Sequence, residues 1–162
     1  FGYTGAGLSI LLKNKKCSKK FGAKAKNAVF KPKCNLLFGL KNKKHFSSSM
    51  DSSDGLSTTL NEMSNQSKKK FVITSMPSEN DVLEFAKSNE LNSNNLILNS
   101  GEEYEIVATT SKSNLTKVKN NARKHRIKLY EIGYVTKGRG VFYKKNGKFV
   151  RIKDGGWKHL KH

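Results

Sequence analysis

The pair Asn146-Gly147, set between Phe142-Tyr143 and Phe149-Val150-Arg151-Ile152, is the tightest constraint in the chain. A two-residue loop of this kind needs positive φ at both positions, which Asn and Gly tolerate, and its twist matches two antiparallel strands. Upstream, the apolar period changes repeatedly. Leu56, Leu60 and Met63 recur at helical spacing, as do Val82, Phe85 and Ala86, and later Leu115, Val118 and Ala122. Phe71-Val72-Ile73, the alternating run Tyr104 to Thr109, and Lys128 to Val135 read as strands. Ser88 to Asn95 reads as a loop that leads into Leu96-Ile97-Leu98 and the turn Asn99-Ser100-Gly101. Strands interleaved with helices and closed by a hairpin predict an α+β domain with a mixed sheet flanked by helices.

Residues 1–46 read as a basic helical lead-in to the same domain, with short helices at Leu8 to Leu12, Ala23 to Phe30 and Leu36 to Leu40, broken by Gly22 and Lys31-Pro32-Lys33. Residues 47–162 form the α+β domain proper. At 162 residues and 35% hydrophobic content there is material for one main core. The chain opens at Phe1 with residues that read like the middle of a fold, so a fragment is expected. No run of 18 apolar residues and no leader pattern occurs, which predicts a soluble, cytoplasmic protein with no membrane partner. Cys17 and Cys34 lack C-x-x-C pairing and the four histidines are scattered, so zinc-ligand spacing is absent.

The formal charge of +20 raises nucleic acid as a partner, but its distribution weakens that reading. Residues 1 to 50 carry 12 Lys and no acid, residues 51 to 110 carry 10 acids against 4 Lys, and residues 111 to 162 carry 16 Lys and Arg against 2 acids. Only Arg123, Arg126, Arg139 and Arg151 are arginine, the residue suited to bidentate readout of phosphates and bases. A Lys-rich solvated surface is the plainer account.

Three runs could carry chemistry. In Asp51-Ser52-Ser53-Asp54-Gly55, two carboxylates three residues apart straddle a strand-to-helix junction. Mg²⁺ suits one or two carboxylates plus phosphate oxygens, and a helix start can hold a phosphate; equally, Ser53 and Asp54 could simply cap the helix. In Ser100-Gly101-Glu102-Glu103-Tyr104-Glu105, Glu103 and Glu105 are expected to share the solvent face of an alternating strand, which leaves Glu102 to explain. In Asp154-Gly155-Gly156-Trp157, the lone tryptophan is either an apolar plug or a platform for a flat ring. The glycine pairs Gly5/Gly7 and Gly138/Gly140 lack the full spacing of a nucleotide fingerprint.

Together, Met50-Asp51-x-Ser53-Asp54-Gly55-Leu56, Ser100-Gly101-Glu102-Glu103-Tyr104-Glu105, Ile132-Gly133-x-Val135, Gly138-x-Gly140-Val141 and Gly156-Trp157-x-His159 resemble, in order and spacing, the C-terminal half of thiamine-monophosphate kinase. That family sits in the superfamily of aminoimidazole ribonucleotide synthetase. The resemblance implies transfer of the γ-phosphate of ATP to thiamine monophosphate, giving thiamine diphosphate with Mg²⁺ assistance. It implies Asp51 and Asp54 as magnesium ligands, Ser53 as an ATP contact, and Glu102 and Trp157 as contacts to the thiamine substrate. It also implies an absent N-terminal half that supplies further metal-binding aspartates and a homodimer interface, so that this piece is inactive alone. Ser100 stands where the family usually has Gly, and Glu103 where it often has Asp. The alternatives are another member of the superfamily, aminoimidazole ribonucleotide synthetase-like or selenophosphate synthetase-like, or a basic nucleic-acid-binding module.

Overall fold

The computed structural model describes residues 1–156. In chain order the elements are α1 (Tyr3–Lys13), α2 (Lys19–Phe30), α3 (Leu36–Asn42), β1 (Phe46–Asp51), α4 (Leu56–Ser67), β2 (Lys69–Ile73), α5 (Asn80–Ser88), α6 (Ser93–Asn99), β3 (Ile106–Thr110), α7 (Lys112–Lys124), β4 (Gly133–Lys137), β5 (Gly140–Lys145) and β6 (Lys148–Arg151). β1 and β3 form an antiparallel pair, and the other strands form a four-stranded mixed sheet in the order β4-β2-β5-β6. β2 is antiparallel to β4 and parallel to β5, and β5 is antiparallel to β6. The α+β architecture with a mixed sheet expected from the sequence is the one found. Asn146 (φ 49°) and Gly147 (φ 77°) both take the positive φ that the hairpin demands.

Helix α4 organises the main core. Its Leu56, Leu60 and Met63 stripe is buried against Phe71 and Ile73 of β2, Val141 of β5, Val107 of β3, and Ile97 and Ile152. A second cluster joins α1 and α2 to α5 and α6 through Ala6, Ile10, Phe21, Ala25, Val82, Phe85 and Leu96. There Tyr3 Oη donates to Asp81 at 2.6 Å and Lys24 reaches both groups. Burial pushes the Asp81 carboxyl up, but the hydrogen bonds from Tyr3 and Lys24 outweigh it and hold the group below the usual carboxylate range. A third cluster sets Phe38 of α3 against Val118 and Ala122 of α7, beside Phe46 and Ile106 of the β1/β3 pair. Among the described residues no helix is long and apolar enough to cross a membrane.

Gly138 and Gly140 have a topological task. β4 and β5 flank β2 on opposite sides, so the two residues between them must pass over the start of β2. φ of 113° at Gly138 and 91° at Gly140 makes that crossing possible. The Gly140 N–H then donates to Ser64 Oγ at 2.9 Å, and Ser64 Oγ donates to the Lys69 carbonyl at 2.6 Å, which pins the far end of the crossing and the start of β2 to α4.

Several sequence expectations need correction. Ser93–Asn99 is a helix rather than a loop ending; the Asn92 side chain caps it by accepting from the Asn95 N–H at 3.1 Å. The strand expected from Tyr104 begins at Ile106, because Glu102 (φ 60°) and Tyr104 (φ 50°) are left-handed and cannot extend a ladder. The strand expected from Lys128 begins at Gly133. Both cysteines are exposed and free.

Candidate functional site

The first two chemistry-bearing runs meet because the β1/β3 ladder continues past its last paired residues. Asp51 ends β1 opposite Ile106. Beyond it the Ser52 N–H donates to the Glu105 carbonyl at 3.0 Å, the Tyr104 N–H to the Ser52 carbonyl at 3.2 Å, and the Glu102 N–H to the Ser53 carbonyl at 2.6 Å. Residues 51–54 and 101–105 therefore run side by side on one rim. Asp51 and Glu102 are exposed there, and Ser53 and Asp54 are half-buried. Left-handed backbone at Glu102 and Tyr104 costs on the order of 1 kcal/mol per residue for side chains with a Cβ, so this rim holds local strain.

Helix α4 starts at the same rim. Its N-cap position is occupied by Gly55, at φ 103°. Ser53 and Asp54 stand immediately before that position. The Thr59 hydroxyl donates back to the Asp51 carbonyl at 3.1 Å, fixing the backbone that carries the first carboxylate. Ser52 is fully buried, and among the described residues its hydroxyl oxygen has no hydrogen-bond partner.

The third run arrives from the far end of the chain. Thr58 Oγ1 donates to Asp154 Oδ1 at 2.6 Å, the Gly155 N–H donates to Ser57 Oγ at 3.2 Å, and Ser57 Oγ donates to Asn99 Oδ1 at 2.7 Å. These bonds lay Gly155-Gly156 across the first turn of α4. A Cβ on Gly156 would fall 2.1 Å from the Asp54 carbonyl and 2.0 Å from Thr58 Oγ1, so this glycine is required for close approach. Trp157 lies outside the described residues; the residue before it sits against Asp54.

The acids at 103 and 105 behave differently from the expected solvent-facing pair. Glu103 Oε1 accepts from the Gly2 N–H at 2.7 Å, the Thr4 hydroxyl at 2.8 Å and the Thr4 N–H at 3.3 Å, so it caps the start of α1 from about a hundred residues away. Burial pushes the Glu105 carboxyl above its ordinary value, reinforced by the Glu103 charge, and Asn35 Nδ2 donates to it at 3.2 Å. No local pattern announces either role, since every partner is remote in sequence. The same holds for Ser57, Thr58 and Asn99, which position the chain end.

Beside Asp51 an open groove of about 520 Å³ runs along β1, lined by Phe46 to Asp51 together with Gly39, Lys43 and Ile106. Its volume lies in the range of small-molecule sites. Among the described residues no three Asp, Glu, His or Cys side chains gather into a metal-binding group.

Residues 5–145 match the family model described as AIR synthase related protein, C-terminal domain. The thiamine-monophosphate kinase of Nitrosopumilus maritimus is 55% identical over 161 residues, covering 99% of this chain and 51% of the relative. That of Pyrococcus horikoshii is 33% identical over 156 residues, covering 95% and 46%. Among solved structures, AaThiL complexed with AMPPCP and TMP superposes with a TM-score of 0.78 at 29% identity, over 98% of this chain and 48% of that one. Escherichia coli HypE, a hydrogenase maturation protein, has a TM-score of 0.70 at 14% identity over 94% of this chain and 46% of that one, a likeness of fold alone. The chain spans about half the length of the curated relatives it matches. The family model covers most of the chain, the sheet order agrees with an α+β domain, and the resemblance seen in the motifs extends along nearly every residue: the chain belongs to the AIR synthase related family, as its C-terminal domain.

Proposed function

We propose that the chain is the C-terminal half of a thiamine-monophosphate kinase, a cytoplasmic homodimer when whole, which transfers the γ-phosphate of ATP to thiamine monophosphate. The observation that carries the reading is the rim itself: backbone pairing sets Asp51, Ser53 and Asp54 beside Glu102, and Gly156 lies against Asp54. The similarity to thiamine-monophosphate kinases supports it.

In this reading Asp51 and Asp54 hold Mg²⁺, Ser53 contacts ATP, and Glu102 and Trp157 contact the thiamine moiety. Mg²⁺ takes one or two carboxylates and fills its remaining positions with phosphate oxygens and water, so the Asp51 and Asp54 carboxylates suit a phosphate-borne ion. When bound, the ion offsets the repulsion between two phosphates that must meet. The chain's own contribution is positional: Thr59 fixes the Asp51 backbone, and the Ser53 carbonyl, accepting from the Glu102 N–H, fixes the Glu102 backbone. The further carboxylates and the dimer contacts come from an N-terminal half, without which this piece does not turn over.

The test is phosphoryl transfer from labelled ATP by the full-length protein, with thiamine monophosphate set against the substrates of the sister enzymes. Asp51→Asn and Asp54→Asn are expected to lower turnover by well over tenfold while leaving the melting temperature within a few degrees. Turnover of a sister substrate, or normal turnover by both variants, refutes the reading.

A further inference from the structure

The outer face of the four-stranded sheet carries an arrangement that the kinase reading does not use. Residues paired directly across a ladder point to the same side. Tyr134, Val72, Phe142 and Arg151 form one such row, and Lys144 and Phe149 form another on the same side. Lys70 shares that side through its β2 alternation with Val72. The opposite side, with Phe71, Ile73 and Val141, is the one packed on α4. That face presents three aromatic rings from three strands, Tyr134 49% and Phe149 48% exposed and Phe142 half-buried, around a Val72 that is itself buried at 1%. Cations sit among the rings: Lys70 Nζ lies 4.8 Å from the Phe142 ring centre and 4.6 Å from that of Phe149, and Lys144 Nζ lies 5.7 Å from Phe149. Of the seven Lys and Arg in β2, β4, β5 and β6, which contain no acid, Lys70, Lys144 and Arg151 lie on this side.

We propose that this face binds single-stranded nucleic acid, with bases stacking on Tyr134, Phe142 and Phe149 and phosphates meeting Lys70, Lys144 and Arg151. Exposed rings such as Tyr134 and Phe149, flanking the buried Val72, are platforms for unpaired bases, because every base has a stackable face, and interspersed cations track the backbone. The charge of this face is complementary to a polyanion and to no acidic segment of its own strands. A membrane surface is a poorer fit, since bilayer-binding faces separate an apolar side from a charged side, whereas here rings and cations alternate. The lysines now lying over the rings can pass to phosphates, leaving the ring faces to bases. Phe142, Lys144, Phe149 and Arg151 come from the single run 142–151, and strand pairing brings Tyr134 and Lys70 to the same side. The inference is independent of the kinase reading.

The experiment is fluorescence anisotropy of the full chain with labelled 10-mers of oligo(U) and oligo(dT), without ATP or thiamine phosphates, over a range of salt. Either single strand bound in preference to duplex supports the proposal, and the tighter of the two names the strand. Three phosphate contacts predict a log–log salt slope of about −2, and Lys144→Gln with Arg151→Gln should flatten it by about 1.4. Tyr134→Ala and Phe149→Ala should each weaken binding by about fivefold or more, with Phe149→Tyr near the parent value and Phe149→Leu as weak as alanine. Circular dichroism melts identify variants that still fold. Four outcomes overturn the proposal: no binding at about 50 mM salt; equal affinity for duplex, inorganic polyphosphate or phosphatidylserine vesicles; affinity lost with the cations but indifferent to the rings; or binding by this chain that disappears in a longer protein containing it.

Discussion

Glu102 and Glu103 are adjacent acids for which the structure predicts opposite responses to mutation. Glu103 Oε1 accepts two short hydrogen bonds, from the Gly2 N–H and the Thr4 hydroxyl, and a longer one from the Thr4 N–H. A hydrogen bond to a charged group contributes roughly 1.5–3 kcal/mol, and losing the acceptor strands donors on buried residues. Glu103→Ala should therefore cost about 3 kcal/mol. For a chain of this size that is a fall of roughly 6–12 °C in melting temperature. Glu103→Gln keeps an acceptor oxygen and loses the charge at the start of α1, so about 1 kcal/mol is expected. Glu102 is exposed and its side chain leans on none of these donors; Glu102→Ala should stay within about 0.5 kcal/mol, and Glu102→Gly should be neutral or stabilising by up to about 1 kcal/mol, because glycine relieves the left-handed φ of 60°. Urea unfolding followed by far-UV circular dichroism reads all four variants. On the proposed kinase reading, the Michaelis constant of the full-length protein for thiamine monophosphate should rise for Glu102→Ala and for Glu102→Gly. If Glu102→Ala destabilised as much as Glu103→Ala, or if Glu103→Ala melted like the parent, the division of labour between the two acids would be wrong.

Gly156→Ala forces a Cβ to within about 2 Å of the Asp54 carbonyl and Thr58 Oγ1; overpacking of this kind should lower stability by about 1–3 kcal/mol and disturb Asp54, read as a lower melting temperature together with lower turnover. Gly147→Ala meets no atom within 4 Å and so reports φ strain alone, a loss of about 1 kcal/mol by urea unfolding. For Glu105 the folded carboxyl titrates above its unfolded value, so it favours folding at acid pH and that benefit is lost as pH rises through the folded pKa. Glu105→Gln should therefore stabilise the chain at pH 7, with the gain vanishing below pH 4, as followed by melting temperature against pH; a variant less stable than the parent at neutral pH refutes the assignment.

What the sequence made legible was what depends on neighbours in the chain. The Asn146-Gly147 turn, the α4 stripe of Leu56, Leu60 and Met63, and the helices carrying Phe85 and Val118 are local patterns, and all are found where expected. Helix α6 was missed because Leu96-Ile97-Leu98 is too short an apolar run to set a period, and its other residues, Ser and Asn, are weak helix formers rescued by the Asn92 cap. Strand β3 begins late because left-handed residues precede it, which composition does not announce. The roles of Glu103 and Gly156 were invisible for a different reason: each is defined by atoms about a hundred residues away.

The candidate rim is consequently a product of chain crossing rather than of any one motif. Asp51 is held by the end of β1 and by Thr59, Glu102 by a backbone hydrogen bond to Ser53, and the chain end by hydroxyls of Ser57 and Thr58. Ser57, Thr58 and Thr59 lie on the first turn of α4, whose Leu56 and Leu60 are anchored in the main core, and Ser53 leads into it. Truncating Leu60 to Ala, at about 2–5 kcal/mol, should therefore loosen the rim as well as the core. A substitution confined to the rim, such as Asp51→Asn, should leave the core untouched. That asymmetry follows from the order of construction: the core positions α4, α4 positions the three runs, and the runs expose the carboxylates.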